Sequence, residues 1–461
     1  CGMLLGAGVS AKKTYVDDIF STFLYTGQGG ASNTTITNGI NLSGDGGMVW
    51  TKGRSAAKDH MIIDTVRGAN KRLFANENNS ENTASSYIQA FNNNGYSVGS
   101  DDNLNGNGVT TASWTFRKAP GFFDIVTYTG NGTAGRTVSH NLGCVPGIVI
   151  VKRLDASDSW AVYHKDTGAT KHLYLNNTNS VMTSASSWND TAPTSSVITL
   201  GSDGRVNDNG GSYVAYLFAH DEQSFGEDEN ASAIKCGSYT GNGSSTGPTI
   251  DLGWEPQWLL IKNATGTTNW RIVDSMRGIV TGGNDQFLTP DLNEAEWDNN
   301  KIDLTSTGFK ITASNGDVNE NGDTIIYVAI RRPDGYVGKP PSLGTDVFAM
   351  DTATNNFPAF DSNFIVDMSL NRVPGTSSGN WELANRLTTG DATILRTNSN
   401  VAEYTWSSPY YQQDSNAGWG KASSWQASPN YQSWMWKRHA GFDVVAYTGT
   451  GSTRQISHSL N

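Results

Sequence analysis

Phe122-Phe123-Asp124-Ile125-Val126-Thr127-Tyr128-Thr129-Gly130 returns late in the chain as Phe442-Asp443-Val444-Val445-Ala446-Tyr447-Thr448-Gly449. The flanks return with it. Trp114-Thr115-Phe116-Arg117-Lys118 comes back as Trp434-Met435-Trp436-Lys437-Arg438, and Val138-Ser139-His140-Asn141-Leu142 as Ile456-Ser457-His458-Ser459-Leu460. A repeat over about 320 residues marks an array of similar units, and arrays are read as surfaces before they are read as enzymes. Shorter echoes divide it. Tyr-Thr-Gly-x-Gly occurs at Tyr25, Tyr128, Tyr239 and Tyr447, and Phe348 takes the tyrosine's place in one unit whose start has drifted.

These starts divide the chain into an N-terminal arm (1–19), modules A (20–121), B (122–233) and C (234–335), a linker (336–341), an A-like fourth module (342–440) and the opening of a further B-like module (441–461). So short an opening supplies only a strand or two with apolar edges, and the expectation is a longer natural protein. Within each module the order is the same. An apolar run comes first (Met48-Val49-Trp50, Ile148-Val149-Ile150-Val151-Lys152, Trp258-Leu259-Leu260-Ile261-Lys262), then a strand led by His60, Trp160 or Trp270. An Asn-Gly turn and a closing strand follow, as in Asn209-Gly210 before Tyr213-Val214-Ala215-Tyr216-Leu217-Phe218.

Short β-branched and aromatic runs punctuated by Gly, Asn and Ser are strand signals. Asn-Gly accepts positive φ at both central positions of a hairpin turn. No stretch holds apolar residues at helical spacing for three turns, so helices are expected to be short and few. Modules of about 100 residues built this way predict an all-β chain of tandem antiparallel β-sandwiches of jelly-roll type. In each closing strand one alternating set of side chains is expected to face inward.

Composition narrows the function. The 461 residues include 51 Gly and 13 Pro, only 16% are charged, and 14 Trp, 17 Tyr and 16 Phe can fill several small cores. The net charge is −11 with Lys and Arg scattered, so the basic footprint of nucleic-acid binding is missing. No apolar run approaches the roughly 20 residues of a membrane span. Cys144 and Cys236 sit at corresponding ends of module B and read as buried free thiols, though spacing alone leaves a disulfide open. The start of the chain, from Cys1, is too short for a secretory signal. Its small-residue tract runs into Tyr15, Val16, Ile19 and Phe20, an apolar patch expected to dock on a partner protein or on sister chains.

The lead-in Thr14-Tyr15-Val16-Asp17-Asp18-Ile19-Phe20-Ser21-Thr22, the Trp-Thr-Phe-Arg-Lys strand, Tyr213-Val214-Ala215-Tyr216-Leu217-Phe218-Ala219 and Ile234-Lys235-Cys236-Gly237-Ser238-Tyr239 resemble repeat-bearing structural proteins of marine tailed bacteriophages. Those proteins are tail-fibre-like and carry concanavalin A-like (laminin-G-like) sandwiches. The resemblance covers nearly the whole chain, implies a virion structural role, and carries no functional residues across.

Catalytic patterns are thin. A glycoside hydrolase needs two carboxylates about 5–10 Å apart across a cleft. The dense acidic clusters are Glu227-Asp228-Glu229, in a linker, and Glu294, Glu296 and Asp298, which share a strand face and read as a solvated loop. Oxygen side chains alternate from Asp101 to Gly108, Asp203 to Gly210 and Asn315 to Gly322 as in calcium loops, but each lies where a turn is needed and lacks a placed bidentate Glu. Calcium stays a secondary reading, and no other cofactor is indicated. His164 and His172 have no third ligand nearby.

One charged pair recurs: Asp64 with Arg67 before Gly68, and Asp274 with Arg277 before Gly278, where module B has His164. Such a pair clasps a turn. The alternative is a rim that, with Trp160 and Trp270, touches a glycan or a neighbouring subunit. The function expected is therefore a non-enzymatic virion exterior protein. A tail fibre or adhesin contacting a host glycan or receptor leads, bound to other virion proteins and homo-oligomeric, trimeric if it is a fibre. A capsid-attached fibre or decoration protein is the alternative, and a polysaccharide depolymerase the third.

Overall fold

A computed structural model of the protein describes residues 13–30, 34–375, 379–390, 393–406, 411–421 and 431–461. Residues 1–12, including Cys1 and most of the N-terminal arm, lie outside the described residues.

The chain is all-β, in tandem two-layer antiparallel sandwiches. In the first, strands Phe20–Thr26, Thr110–Arg117, Gly47–Gly53, Met61–Asp64, Lys71–Phe74 and Asn82–Thr83 lie side by side in that order, and a three-stranded sheet (Thr34–Thr37, Gly95–Val98, Ile88–Asn92) covers one face. The next repeats it: Phe123–Thr129, Ser212–Ala219, Pro146–Arg153, Ala161–His164, Lys171–Tyr174, Met182–Thr183, faced by Arg136–Ser139 and Val197–Leu200. The third sets Ile234–Thr240, Thr324–Arg331, Pro256–Asn263 and Arg271–Asp274 against Thr249–Asp251, Gly308–Ile311 and Ile302–Thr305. The fourth follows the order of the first, from Phe348–Thr352 and Gln432–Trp436 to Tyr404–Thr405. In every case the closing strand is inserted beside the first one, in the middle of the large sheet.

That central position explains why the closing strands are apolar throughout. Ser212–Ala219 is buried at seven of its eight residues, so both alternating sets are covered, not the one the sequence pattern predicts. The second cover comes from neighbouring modules. Of Thr110–Arg117, Ala112, Trp114 and Phe116 join one core that runs from Val16 to Val337. Phe116 of module A, Phe218 of B and Trp258 of C meet there, with ring centroids 5.5 and 5.6 Å from Phe116. The opposite faces fill smaller cores between the module's own sheets in A and C, such as Val49, Met61, Ile63 and Tyr96 in module A, while in module B the residues between the sheets, such as Val138, Ile198 and Leu200, run on into the shared core.

Helices are single turns. Three of them, Asp102–Asn105, Gly204–Asn207 and Gly316–Asn319, precede the closing strands. Of the Asn-Gly pairs that follow, only the glycines take positive φ (72° at Gly108, 81° at Gly210, 82° at Gly322), so the turns are not the doubly positive kind the dipeptide suggests. Each of these glycines donates its N–H to the glycine carbonyl of the Tyr-Thr-Gly loop: Gly27, Gly130 or Gly241. The last residue of each helical turn is a fully buried asparagine. Asn207 holds the same loop, accepting from Asn131 N at 2.9 Å and donating to the carbonyls of Thr133 and Gly201 at 2.9 and 2.7 Å.

The patch expected to dock on a partner belongs to the chain's own core. Val16, Ile19 and Phe20 are buried in the shared core, with Val16 N bonded to Val337 O. The Tyr15 hydroxyl bonds to Glu227 at 2.5 Å. An apolar side chain finds a partner wherever uncovered apolar surface is nearest, and here that surface is the seam between the beginning and the end of the three-module unit.

Candidate functional site

The residues singled out from sequence converge on three equivalent seams. Modules A, B and C close into a ring: the N–H of Glu81 bonds Leu154 O, that of Val181 bonds Ala264 O, and that of Glu296 bonds Arg54 O, at 2.9, 2.6 and 2.8 Å. The three bonds occupy corresponding positions, so the unit has three-fold pseudosymmetry within one polypeptide.

At the A–B seam Arg67 Nε pairs with Asp64 Oδ2 at 2.5 Å, Nη1 reaches Glu81 at 3.1 Å and Nη2 donates to Ile62 O. Tyr216 of module B donates its hydroxyl to the same Asp64 oxygen at 2.8 Å. The C–A seam repeats this with Arg277, Asp274 and Glu296 at 2.6 and 2.9 Å, and Trp114 of module A donates its indole N–H to Asp274 at 3.0 Å. At the B–C seam His164 takes the aspartate's place. Its Nδ1 accepts from Asp166 N and its Nε2 donates to Tyr327 O at 3.3 Å, which the neutral imidazole satisfies. Burial agrees, lowering its pKa to about 4.

The tryptophans do the same work. Trp160 donates to the carbonyls of Phe74 and Glu77 in module A, each at 3.0 Å, and Trp270 to Tyr174 O in module B at 2.8 Å. His60 stands at this position in module A, with the backbone of Thr289 of module C facing its ring.

Asp64, Arg67, Trp160, His164, Trp270, Asp274 and Arg277 are thus all buried, and as a glycan-facing rim they are corrected. The surfaces they contact are the other modules of the same chain. Residues that bury this completely reach a saccharide only by opening the ring.

Three further residues belong to the seams and carried no assignment from the sequence: Lys52, Lys152 and Lys262, all fully buried. Lys152 Nζ donates to Asn78 O, Arg153 O and Asp158 O at 3.1, 3.0 and 2.9 Å, which uses its three N–H bonds and ties B to A. Lys262 Nζ spans B and C through Thr178 O and Thr268 O, and Lys52 Nζ donates to Gly53 O at 2.7 Å. Burial lowers each of the three to about 8. The available signal was one lysine at the same place in three otherwise apolar strands.

The acidic cluster is engaged rather than solvated at its centre. Glu296 binds Arg54 and Arg277 at 2.7 and 2.9 Å, while Glu294 accepts from Thr289 and Asp298 from Asn284. The suspected calcium turns spend their oxygens within the chain: Asp101 accepts from Asn103 N, Asp203 from Arg205 N, and Asp317 pairs with Arg271 and Lys301, each at 2.7 Å. Among the described residues no group of three or more His, Cys, Asp or Glu is placed to hold a metal ion. His172 bonds Tyr174 and Ser187. Cys144 and Cys236 are buried and free, and burial pushes both thiols up, Cys144 to about 11.

Open concavities lie elsewhere. A recess of about 470 Å³ beside module C is lined by Trp254, Tyr336, Lys235, Asp221 and Asn230. The Trp254 indole N–H is buried there without a partner. A polar cleft of about 740 Å³ runs between module C and the fourth module, past Arg54, Arg386 and Gln413.

The family model described as a domain of unknown function (DUF7483) matches residues 16–332. The chain belongs to this family. The DUF7483 match begins at Val16, where the N-terminal helical turn starts, and ends one residue past the closing strand Thr324–Arg331. The DUF7483 domain therefore corresponds to the three-module ring, its pseudosymmetric seams included. No curated protein and no solved structure matches the chain.

Proposed function

We propose that the protein is a structural component of a bacteriophage virion, most simply a tail fibre or adhesin that meets the host surface. The supporting observation is the ring itself: three sandwiches share one aromatic core and hydrogen-bonded seams, two of them ion-paired, so the charged and aromatic residues that recur along the chain build a rigid block. A rigid block followed by a module of the same pattern suits a spacer that holds a binding surface away from an anchor. The resemblance to fibre-like phage proteins points the same way, and we propose that the sandwiches are of the jelly-roll, concanavalin A-like kind, a reading supported by their two layers and by a closing strand inserted beside the first.

The proposed host contact is a saccharide, and the recess beside module C is its landing place. Tyr336, 45% exposed, offers aromatic surface for a sugar ring, and Lys235, Asp221 and Asn230 offer hydrogen bonds to hydroxyls. Electron microscopy of particles labelled with antibody to this protein tests the virion assignment: label on the tail or its fibres is expected, and unlabelled particles would refute it. Label on the capsid lattice would favour the decoration protein. For the recess, Tyr336→Ala is expected to lower binding in a glycan-array assay at least tenfold. Equal binding by the variant would move the contact elsewhere.

A further inference from the structure

The polar cleft between module C and the fourth module is fixed from both sides. Thr281 N donates to Leu387 O at 2.7 Å. The buried Arg386 guanidinium spends its five N–H bonds on the carbonyls of Val366 and Gln413 in its own module and of Ser275 and Met276 in module C. The other two arginines on the walls are committed as well, Arg54 to Glu296 and Asp414, and Arg277 to Asp274 and Glu296. What the walls offer a ligand is Gln286 and Asp298 from module C, and Thr388, Glu403, Gln412 and Gln413 from the fourth. The apolar lining side chains, Met276 and Val280, are buried. One polar group lacks a partner: Gln413 is 8% exposed, and its Nε2 has no acceptor among the described residues. A buried donor left unpaired is unfavourable and marks a place where an acceptor belongs. Neighbouring modules leave this kind of rim open. By strand register Lys71 and Thr83 hold in module A the places of the rim residues Thr393 and Thr405, and they stay half-buried and exposed with B and C packed around them.

We propose that this cleft binds a neutral oligosaccharide lying across the two modules. A sugar hydroxyl both donates and accepts, and the walls present both roles: the amides of Gln286, Gln412 and Gln413 give hydrogen bonds, and the carboxylates of Asp298 and Glu403 receive them. An anionic chain would meet those carboxylates while the arginines beside them are already paired. A peptide would find no open apolar pocket for its side chains. The volume of about 740 Å³ lies within the roughly 300–1,000 Å³ of ligand sites, which favour boundaries between domains. The cleft is distinct from the recess beside Trp254, and the inference stands apart from the virion assignment.

Isothermal titration calorimetry of the full chain with maltohexaose, cellohexaose and mannohexaose, and with hexagalacturonate as the acidic counterpart, tests it. Binding of at least one neutral hexasaccharide and not of the acidic one is expected. Gln413→Leu keeps the main-chain carbonyl that Arg386 uses and is expected to weaken binding about tenfold. Gln286→Ala, a half-buried side chain outside every hydrophobic core, is expected to weaken it about threefold. Tyr336→Ala, in the recess, should leave it unchanged. Silence from all the neutral sugars, tighter binding of hexagalacturonate, or wild-type affinity in both cleft variants would overturn the proposal. Affinity lost in Tyr336→Ala but kept in both cleft variants would overturn it while upholding the recess as the saccharide site.

Discussion

Arg277 is a residue whose worth depends on where the ring puts it. Its guanidinium is buried between Asp274 and Glu296, 5.5 Å from the Trp114 ring centroid. Removing one partner of such a group leaves uncompensated charge in the interior, which costs about 3–5 kcal/mol. Arg277→Met is therefore expected to lose that much in urea unfolding. Arg153→Met, whose partners Asp155 and Asp208 are largely solvated, is expected to lose no more than about 1 kcal/mol. Equal losses would mean that seam burial does not govern these pairs.

Lys152 gives a pH signature of opposite sense to most acid-stabilised pairs. Burial holds its folded-state pKa at about 8, below the unfolded value of 10.5. Between those values the unfolded chain retains a proton that the folded chain has released. Stability from this group therefore rises with pH; it is full above 10.5 and is lost as pH falls through about 8. The Tm of the wild type minus that of Lys152→Met should climb between pH 7 and pH 9.5. A flat difference would show that the three carbonyls hold the ammonium charged throughout.

The elements illustrate how a short segment acquires its role from what it covers. Val16–Ile19 is one helical turn and is too short to be stable by itself. It persists because Val16 and Ile19 fill the shared core and Asp18 pairs with Lys339 beyond the third module. Deleting residues 1–19 is thus expected to cost about 3–5 kcal/mol, since each buried aliphatic side chain contributes roughly 1.5–3 kcal/mol. An unchanged denaturation midpoint would show that the segment is an appendage. The buried asparagines teach the same lesson at the turns: Asn105, Asn207 and Asn319 read as turn residues, yet their amides bind the Tyr-Thr-Gly loop at the end of the neighbouring first strand, about 75 residues away in sequence.

At the scale of the molecule, a core shared by three modules couples their unfolding. Residues 16–337 are expected to melt in one calorimetric transition whose van't Hoff and calorimetric enthalpies agree, with a chain truncated after residue 340 retaining it. Three separable transitions would mean that the seams contribute little. The fourth module is joined more sparingly. Asn416 pairs with both backbone groups of Leu24, Arg386 donates to Ser275 O, and Arg438 binds Glu255 at 2.9 Å. It has its own core, and a separate, lower transition for it is consistent with that.

Much of this was local and therefore legible. Strand runs, turn residues and the recurring order of elements are properties of neighbouring residues, and the repeat of Trp114 and Tyr128 as Trp434 and Tyr447 is visible by inspection. The all-β sandwich class and the clasp of Asp64 with Arg67 and of Asp274 with Arg277 followed from such patterns, because a strand's period and a three-residue turn are set by the chain itself. What each exposed-looking face would meet was not local. Tyr216 gives no sign that its hydroxyl lies against Asp64, nor Trp114 that its indole lies against Asp274, since those distances depend on how whole modules pack. The sequence by itself determined repeated sandwiches. Only the tertiary structure decided that three of them close a ring, because burial of an apolar sheet face rewards any complementary surface and does not record in the strand which surface it is.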